Sequence, residues 1–353
     1  HKKFETFLTR EEFYSKSSGN IVLNPHIVQK TLIDCRSDVV ALSFFLWCAR
    51  QPDYFHDRAA FSHMVNVVSR LIQRFSTLGG LLEELAHVGC ATKPQTLLLL
   101  LRIFWYGKMY ELVFEAFEEM LRHGYTPNTF ARNIVVDVLF KIGKVGAALK
   151  VLEETEVPNF LSFSIAVCNL CKLNDLINMR NVLRNMLRNG YSLNPETFLS
   201  VLNCYCKLGR LEEALQLLSL MITLGVPTSV SVWTVLIDGF CKPGQLDVAS
   251  FLLDKMVQSG CSPNIVTCTS LIKGFLEAKM PNKAFKILST MESRGCYPDL
   301  FLCNVLIDRL SKMGRYDEAL DFFFNLQKQG LIPDPYTICS ILSAICSSQE
   351  FLL

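Results

Sequence analysis

Apolar residues in the second half of the chain come in short bursts at helical spacing, divided by polar turns. Val232, Val235, Leu236 and Phe240 recur near every third or fourth position, and Leu246, Ala249, Leu252, Leu253 and Met256 do the same after them, which gives each segment one face to bury against a neighbour. Gly244 stands where the first helix must stop and Gly260 where the second ends, because glycine reaches left-handed backbone angles at little steric cost. Ser262, Pro263 and Asn264 follow as a link, since proline cannot continue a helix interior. The pattern predicts a helical hairpin.

The hairpin recurs. Gly190, Gly225, Gly260, Gly295 and Gly330 are thirty-five residues apart, and Met186, Met221, Met256 and Met291 keep the same step. So do Ala214, Ala249, Ala284 and Ala319, while Cys171, Cys206, Cys241 and Cys346 fall on multiples of it. Several residue types in one register mean one supersecondary unit copied head to tail, and stacking is required because a lone hairpin leaves an apolar face wet. The alanines mark close helix approach, where a larger side chain would obstruct.

In this register the repeats run 94–128, 129–159, 160–194, 195–229, 230–264, 265–299 and 300–334, with a partial repeat at 335–353. Repeat 129–159 is four residues short near its second turn, which predicts a shortened second helix or a tightened link. Upstream, residues 58–93 read as a degenerate repeat. Residues 38–50 (DVVALSFFLWCAR) read as one amphipathic helix of a still earlier repeat, inside an N-terminal region of residues 1–57.

Composition narrows the function classes. Half of the 353 residues are hydrophobic and 19% are charged, so the chain folds rather than staying disordered, and its helices need apolar neighbours on more than one side. A net charge of +2 excludes a polycation that holds nucleic acid by bulk charge, so any such contact must use a local stripe. Most of the fourteen cysteines sit in apolar helical patterns and read as reduced core residues. The close pairs Cys168 with Cys171 and Cys204 with Cys206 lack a second pair at zinc-ligand spacing.

Leu97 to Phe104 is an apolar run interrupted by Arg102 and closed near Gly107, well short of a bilayer span, so no transmembrane segment is expected. Glu5, Glu11 and Glu12 are foreign to an organellar presequence, so any presequence is expected to lie outside this chain, and the uncapped end at Leu353 predicts a fragment. All six histidines precede residue 124, and no zinc-deaminase ligand set, glycine-rich phosphate loop or nucleophile elbow is found. The expectation is a protein that is not an enzyme and has no metal and no cofactor. Asp238 and Asp308, which recur on first helices, read as solvated surface acids.

The strings VWTVLIDGFCKPGQLDVASFLLDKMVQSGCSPN and CNVLIDRLSKMGRYDEALDFFFNLQKQGLIPD resemble the pentatricopeptide repeat family, in its all-35-residue P-class form abundant in plant organelles. The resemblance covers residues 94–353 closely and 38–93 more loosely. The tetratricopeptide array, with a period of 34 and a different signature, does not match.

The resemblance implies an all-α fold, a right-handed α-solenoid superhelix of stacked helical hairpins, that binds single-stranded RNA at one base per repeat. It assigns base reading to the fifth and last residues of each repeat: Asn133 with Asn159, Ser164 with Asn194, Thr234 with Asn264, Thr269 with Asp299 and Asn304 with Asp334. By the family's pairing rules these favour C (as a pyrimidine), A, A, G and U, giving a core of 5′-Y-A-N-A-G-U-3′. Leu199 with Ser229 and Leu98 with Asn128 depart from the pattern and carry no assignment. The second position would stack on the base through Phe130, Leu161, Val266 and Phe301, a series broken by Glu196 and Ser231.

Lys141, Lys172, Lys207, Lys242 and Lys312 occupy the thirteenth position, with Glu277 the exception. They suit a basic rail for phosphates, and equally a set of lysines placed at helix C-termini by the helix dipole.

The function expected from the resemblance is organellar post-transcriptional RNA metabolism: stability, processing or translation of transcripts. The partner would be organellar mRNA or rRNA, with no membrane and no small-molecule substrate, in the mitochondrion or alternatively the plastid. The other reading is structural: a subunit of the plant mitochondrial ribosome, touching its RNA and proteins, or a protein-binding helical scaffold.

Overall fold

The computed structural model describes residues 23–52, 54–328 and 332–347. Among these residues the chain is all-α, with nineteen helices and no strand. It divides into two compact bodies, residues 1–169 and residues 170–353. The N-terminal body holds α1 (Pro25–Asp34), α2 (Asp38–Cys48), α3 (Arg58–Phe75), α4 (Leu78–His87), α5 (Pro94–Tyr106), α6 (Tyr110–Arg122), α7 (Thr129–Lys141) and α8 (Val145–Glu153). Helix α9 (Phe160–Lys172) contains the boundary. The C-terminal body continues with α10 (Leu176–Arg188), α11 (Pro195–Lys207), α12 (Leu211–Thr223), α13 (Val230–Cys241), α14 (Leu246–Gln258), α15 (Ile265–Glu277), α16 (Pro281–Ser293), α17 (Leu300–Lys312), α18 (Tyr316–Lys328) and α19 (Pro335–Ser347).

In the C-terminal body the first helices of successive repeats pack on one another, α11 on α13, α13 on α15, α15 on α17 and α17 on α19. Each of the second helices α12, α14 and α18 packs both on its own first helix and on the next one. The period-35 residues sit where this stacking needs them: Ala214, Ala249, Ala284 and Ala319 are fully buried, and Met186, Met221, Met256 and Met291 nearly so. Gly239 lets two first helices approach more closely still, and Gly274 lets a first helix approach the second helix before it. A Cβ on Gly239 would come within 2.8 Å of both Cβ and Sγ of Cys206, and one on Gly274 within 2.7 Å of Leu246.

Turn geometry repeats as well. The fifteenth position of each repeat is left-handed whatever residue fills it, with φ of 79° at Gly244, 57° at Asn174 and 58° at Lys279. The glycines at the end of the second helices behave likewise (φ 68° to 80° at Gly190, Gly225, Gly260 and Gly295). Gly330 and the stretch with Glu5, Glu11, Glu12 and Leu353 lie outside the described residues.

The N-terminal body departs from the regular pattern at both of its ends. Helix α8 spans 9 residues where α10 spans 13, so the four residues missing from repeat 129–159 are missing from its second helix. Helix α3 runs 18 residues. Helix α2, expected to be amphipathic, is buried on every side instead, including Val39, Leu42, Phe44, Phe45 and Leu46. The reason is its position among α1, α3 and α4, all of which it touches, leaving no wet face to carry polar residues. Beside it the His56 ring lies flat on Phe45 at 3.6 Å between centroids, and its Nε2 meets the Phe45 carbonyl at 2.9 Å. Burial lowers the His56 pKa to about 4.

All fourteen cysteines are free, and Cys48, Cys90, Cys171, Cys204, Cys206, Cys241, Cys268 and Cys303 are buried. Burial pushes the Cys206 and Cys268 thiols up to about 11, so they are held as inert neutral core groups. Among the described residues no helix is long and apolar enough to cross a membrane.

Candidate nucleic-acid interface

The last residue of each repeat is the N-cap of the next repeat's first helix. Asn128, Asn159, Asn194, Asn264, Asp299 and Asp334 each accept, through Oδ1, the backbone N–H three residues on, at 2.8 to 3.0 Å. Asn and Asp are both strong caps because either offers that oxygen to an otherwise unpaired helix N–H. Folding therefore uses the one atom the two residues share and leaves the atom at which they differ, a donor Nδ2 or an acceptor Oδ2, for another purpose. Ser229 makes no such side-chain bond.

The fifth residue lies one turn into the same layer of helices. Asn133, Ser164, Thr269 and Asn304 are buried and Thr234 half-buried, while the paired last residues Asn159, Asn264 and Asp299 are exposed. The two positions of one repeat meet: Asn133 Nδ2 donates to Asn159 Oδ1 at 3.4 Å, and Asn304 Nδ2 donates to Asp334 Oδ2 at 3.1 Å. The Thr337 N–H and hydroxyl, joined by Asn304 Nδ2, hold the Asp334 carboxyl below the usual carboxylate range. The result is a polar floor under an exposed polar rim.

Around repeat 265–299 these parts enclose a cleft of about 220 Å³, lined by Val266, Thr269, Asp299 and Phe301 together with Lys242 and Lys273. Val266 and Phe301 are apolar yet 55% and 64% exposed. They stand at the second positions of successive repeats, and both line the cleft that holds the reading pair. Phe130 and Leu161 are exposed in the same way.

The thirteenth-position lysines form no uniform rail. Lys141 pairs with Asp137 at 2.6 Å, Lys242 with Asp238 at 2.7 Å and Lys312 with Asp308 at 2.9 Å, each four residues back on its own helix. Lys172 and Lys207 are exposed and carry no ion pair among the described residues. This corrects the reading of Asp238 and Asp308 as merely solvated. Asp238 also accepts from Ser270 of the following repeat at 3.1 Å, and Asp137 accepts from Trp105 Nε1 at 2.7 Å and Asn169 Nδ2 at 3.2 Å. The ninth position thus ties neighbouring repeats together, a role no residue count along one helix could reveal.

Repeat 265–299 reverses this charge pair, with Lys273 at the ninth position and Glu277 at the thirteenth. Glu277 turns to Arg309 of the next repeat at 2.8 Å, which leaves Lys273 exposed on the cleft. Sequence reading treated Glu277 as a gap in the rail and passed over Lys273, although the reversed charge was visible in the register. It also missed the buried hydroxyls of Ser162, Thr267 and Thr337, each 0% exposed, whose signal is a Ser or Thr three residues after an Asn or Asp cap.

Comparison with known proteins agrees with this architecture. The PPR repeat family model matches residues 197–242, 228–277, 263–301 and 298–347. A pentatricopeptide repeat-containing protein of Arabidopsis thaliana is 42% identical over 178 residues, and a second from the same plant is 26% identical over 195 residues. These matches cover 50% and 54% of this chain but only 29% and 30% of those relatives, so the chain spans under a third of their length. The crystal structure of the pentatricopeptide repeat protein PPR10 from maize superimposes with a TM-score of 0.61 at 19% identity, over 94% of this chain and 52% of that one. PPR10 in complex with an 18-nt psaJ RNA element gives 0.61 at 17% identity, over 99% of this chain and 56% of that one. At such identities the likeness concerns the fold. With the thirty-five-residue hairpins, their capped stacking and the matched repeats in agreement, residues 197–347 are repeats of the pentatricopeptide family.

Proposed function

We propose that this chain binds single-stranded RNA, one base per repeat, as a P-class member acting on organellar transcripts. The observation that carries the reading is the cleft of repeat 265–299. Val266 and Phe301 flank it as two apolar walls, spaced by one repeat, and Thr269 and Asp299 supply polar atoms between them. A flat base needs such apolar faces for stacking and such a polar edge for selection. The PPR10 complex with RNA supports the same use of a related fold.

Selection follows from the caps. Asp299 gives Oδ1 to the Leu302 N–H, so Oδ2 remains to accept from a base N–H, as guanine offers. Asparagine at the same position would keep the cap and present a donor instead. Replacing Asp299 by Asn therefore changes recognition with little cost to folding. Selection of bound sequences from randomised RNA should show the preference at that register moving from G toward A by roughly tenfold or more, the size of one good polar base contact. An unchanged preference overturns base reading.

The location proposed with this function is the mitochondrion, with the plastid as the other outcome of an import assay on the full-length protein. The broken reading positions Leu98, Leu199 and Glu196 favour a second reading, in which the chain grips structured RNA as a subunit of the mitochondrial ribosome. Co-sedimentation with ribosomal particles in high salt would select it.

A further inference from the structure

Beneath two of the reading pairs lies a fully buried threonine. Thr267 is the third residue of its repeat and is fully buried. Its Oγ1 is 2.7 Å from Oγ1 of Thr234 and 2.9 Å from Oδ1 of Asn264, the fifth and last residues of the preceding repeat. Thr337, equally buried, repeats the arrangement: its Oγ1 donates to Asn304 Oδ1 and lies 2.9 Å from Asp334 Oδ1. Ser162 bonds Asn159 Oδ1 at 3.0 Å, and Asn133 reaches that same oxygen. Thr197, the third residue after the Asn194 cap, is a further buried hydroxyl at this position, whereas the capped helices that begin after Asn128 and Asp299 carry Ala131 and Leu302 there.

We infer that Thr267 and Thr337 are positioning residues for base selection, which set the atoms that the reading pairs of the preceding repeats present. The inference rests on the RNA-reading function proposed above. The argument is one of proton count. Thr234 Oγ1 lies 2.8 Å from the Val230 carbonyl and 2.7 Å from Thr267. A hydroxyl has one proton to give, and both of these inward partners compete for it. Whichever takes it, the Thr234 proton points into the protein and its outward side presents a lone pair.

Asn264 spends Oδ1 on the Thr267 N–H and hydroxyl, which turns its Nδ2 outward as a donor. An acceptor beside a donor complements the amino group and ring nitrogen of adenine. At Thr337 the same logic gives the opposite polarity. Its hydroxyl occupies Asn304 Oδ1, Asn304 Nδ2 gives one proton to Asp334 Oδ2, and the second Nδ2 proton stays available beside a carboxylate. That is a donor beside an acceptor, as the carbonyl and ring N–H of uracil require.

The test compares full-length wild type with Thr267→Val, Thr267→Ser, Thr337→Val and Thr337→Ser on RNAs that differ by one base at the register of repeat 230–264 or 300–334. Valine already stands at the third position as Val232, so the fold accommodates it, and thermal melting verifies this for each variant. Each Val variant should lose about fivefold of the discrimination at its own register, the scale of one net hydrogen bond, while discrimination at the other register stays. The Ser variants, which keep the hydroxyl, should restore it. Val variants that fold and discriminate as wild type does overturn the inference while leaving RNA reading intact. A wild type with no base preference at either register overturns the reading function, and the inference with it.

Discussion

Residues 23–93 and residues 195–347 are built from the same element, a pair of helices, and are held in different ways. In the later region every first helix except α13 is capped by the side chain of the last residue of the repeat before it, and the helices close over glycine and alanine. In the earlier region the contacts are aromatic and singular. Phe45 lies under His56 and edge-on to Phe61, Arg102 sits over the Phe61 ring at 4.1 Å, and Arg50 bonds Thr96 at 2.6 Å. The regular region presents a polar reading pair in repeats 230–264, 265–299 and 300–334, while repeat 195–229 has Leu199 in its place. The irregular one uses its polar groups on itself and buries eight of the eleven residues of α2. A repeat array can thus spend its caps on recognition only where packing is already satisfied by small residues at fixed positions.

Four measurements sharpen that contrast. The largest effect should come from Phe45→Ala, which empties a fully buried aromatic site and should cost about 4 kcal/mol. Hydrogen exchange should show the loss in α2 and α3 while α13 to α17 keep their protection, and equal loss everywhere would contradict two separately held regions.

The second is a pH effect. His56 has a folded pKa lowered to about 4, so the unfolded chain binds more protons as pH falls below the ordinary histidine value of about 6.5. Stability should be intact above that value and decline by up to about 3 kcal/mol toward pH 4. His56→Gln should flatten the decline in a melting series, and an unchanged slope would assign the effect to other groups.

The regular region is sensitive at its glycines instead. Gly239→Val forces side-chain atoms into Cys206 and should cost about 2 kcal/mol through overpacking, read in denaturant unfolding, whereas a neutral result would mean that α11 and α13 move apart easily. The smallest effect should come from Lys279→Gly. Lys279 holds φ of 58°, a conformation that costs an L-residue about 1 kcal/mol. Relieving it should stabilise the protein by that amount in the same assay, and a loss of stability would show that the lysine side chain contributes more than its backbone costs.

Most of the architecture was legible in the chain because a strict period is a long-range signal written locally. Ala249 and Met256 announce their burial by recurring, and Gly244 and Gly260 announce the turns. The candidate site was legible only through the family resemblance, which names Thr269 and Asp299 as a pair without saying what each atom does. Where the period fades, reading fades with it. The string of α2 carries polar Asp38 and Ser43 among its apolar residues and looks one-sided, and only three surrounding helices make it a core element.

The sequence by itself determined the repeat length, the hairpin, the boundaries of most helices and the residue types that can cap them, because each depends on groups a few positions apart. The tertiary structure alone decided that Asp238 and Ser270 join, that Glu277 takes Arg309 and leaves Lys273 exposed on the cleft, and that a buried threonine links Thr234 to Asn264. Apart from the local bond of Thr267 to its own cap Asn264, those contacts join residues 32 or 33 positions apart, on the first helices of successive repeats. Their meeting is set by how one repeat sits on the next, and the order of residues within a repeat does not encode it.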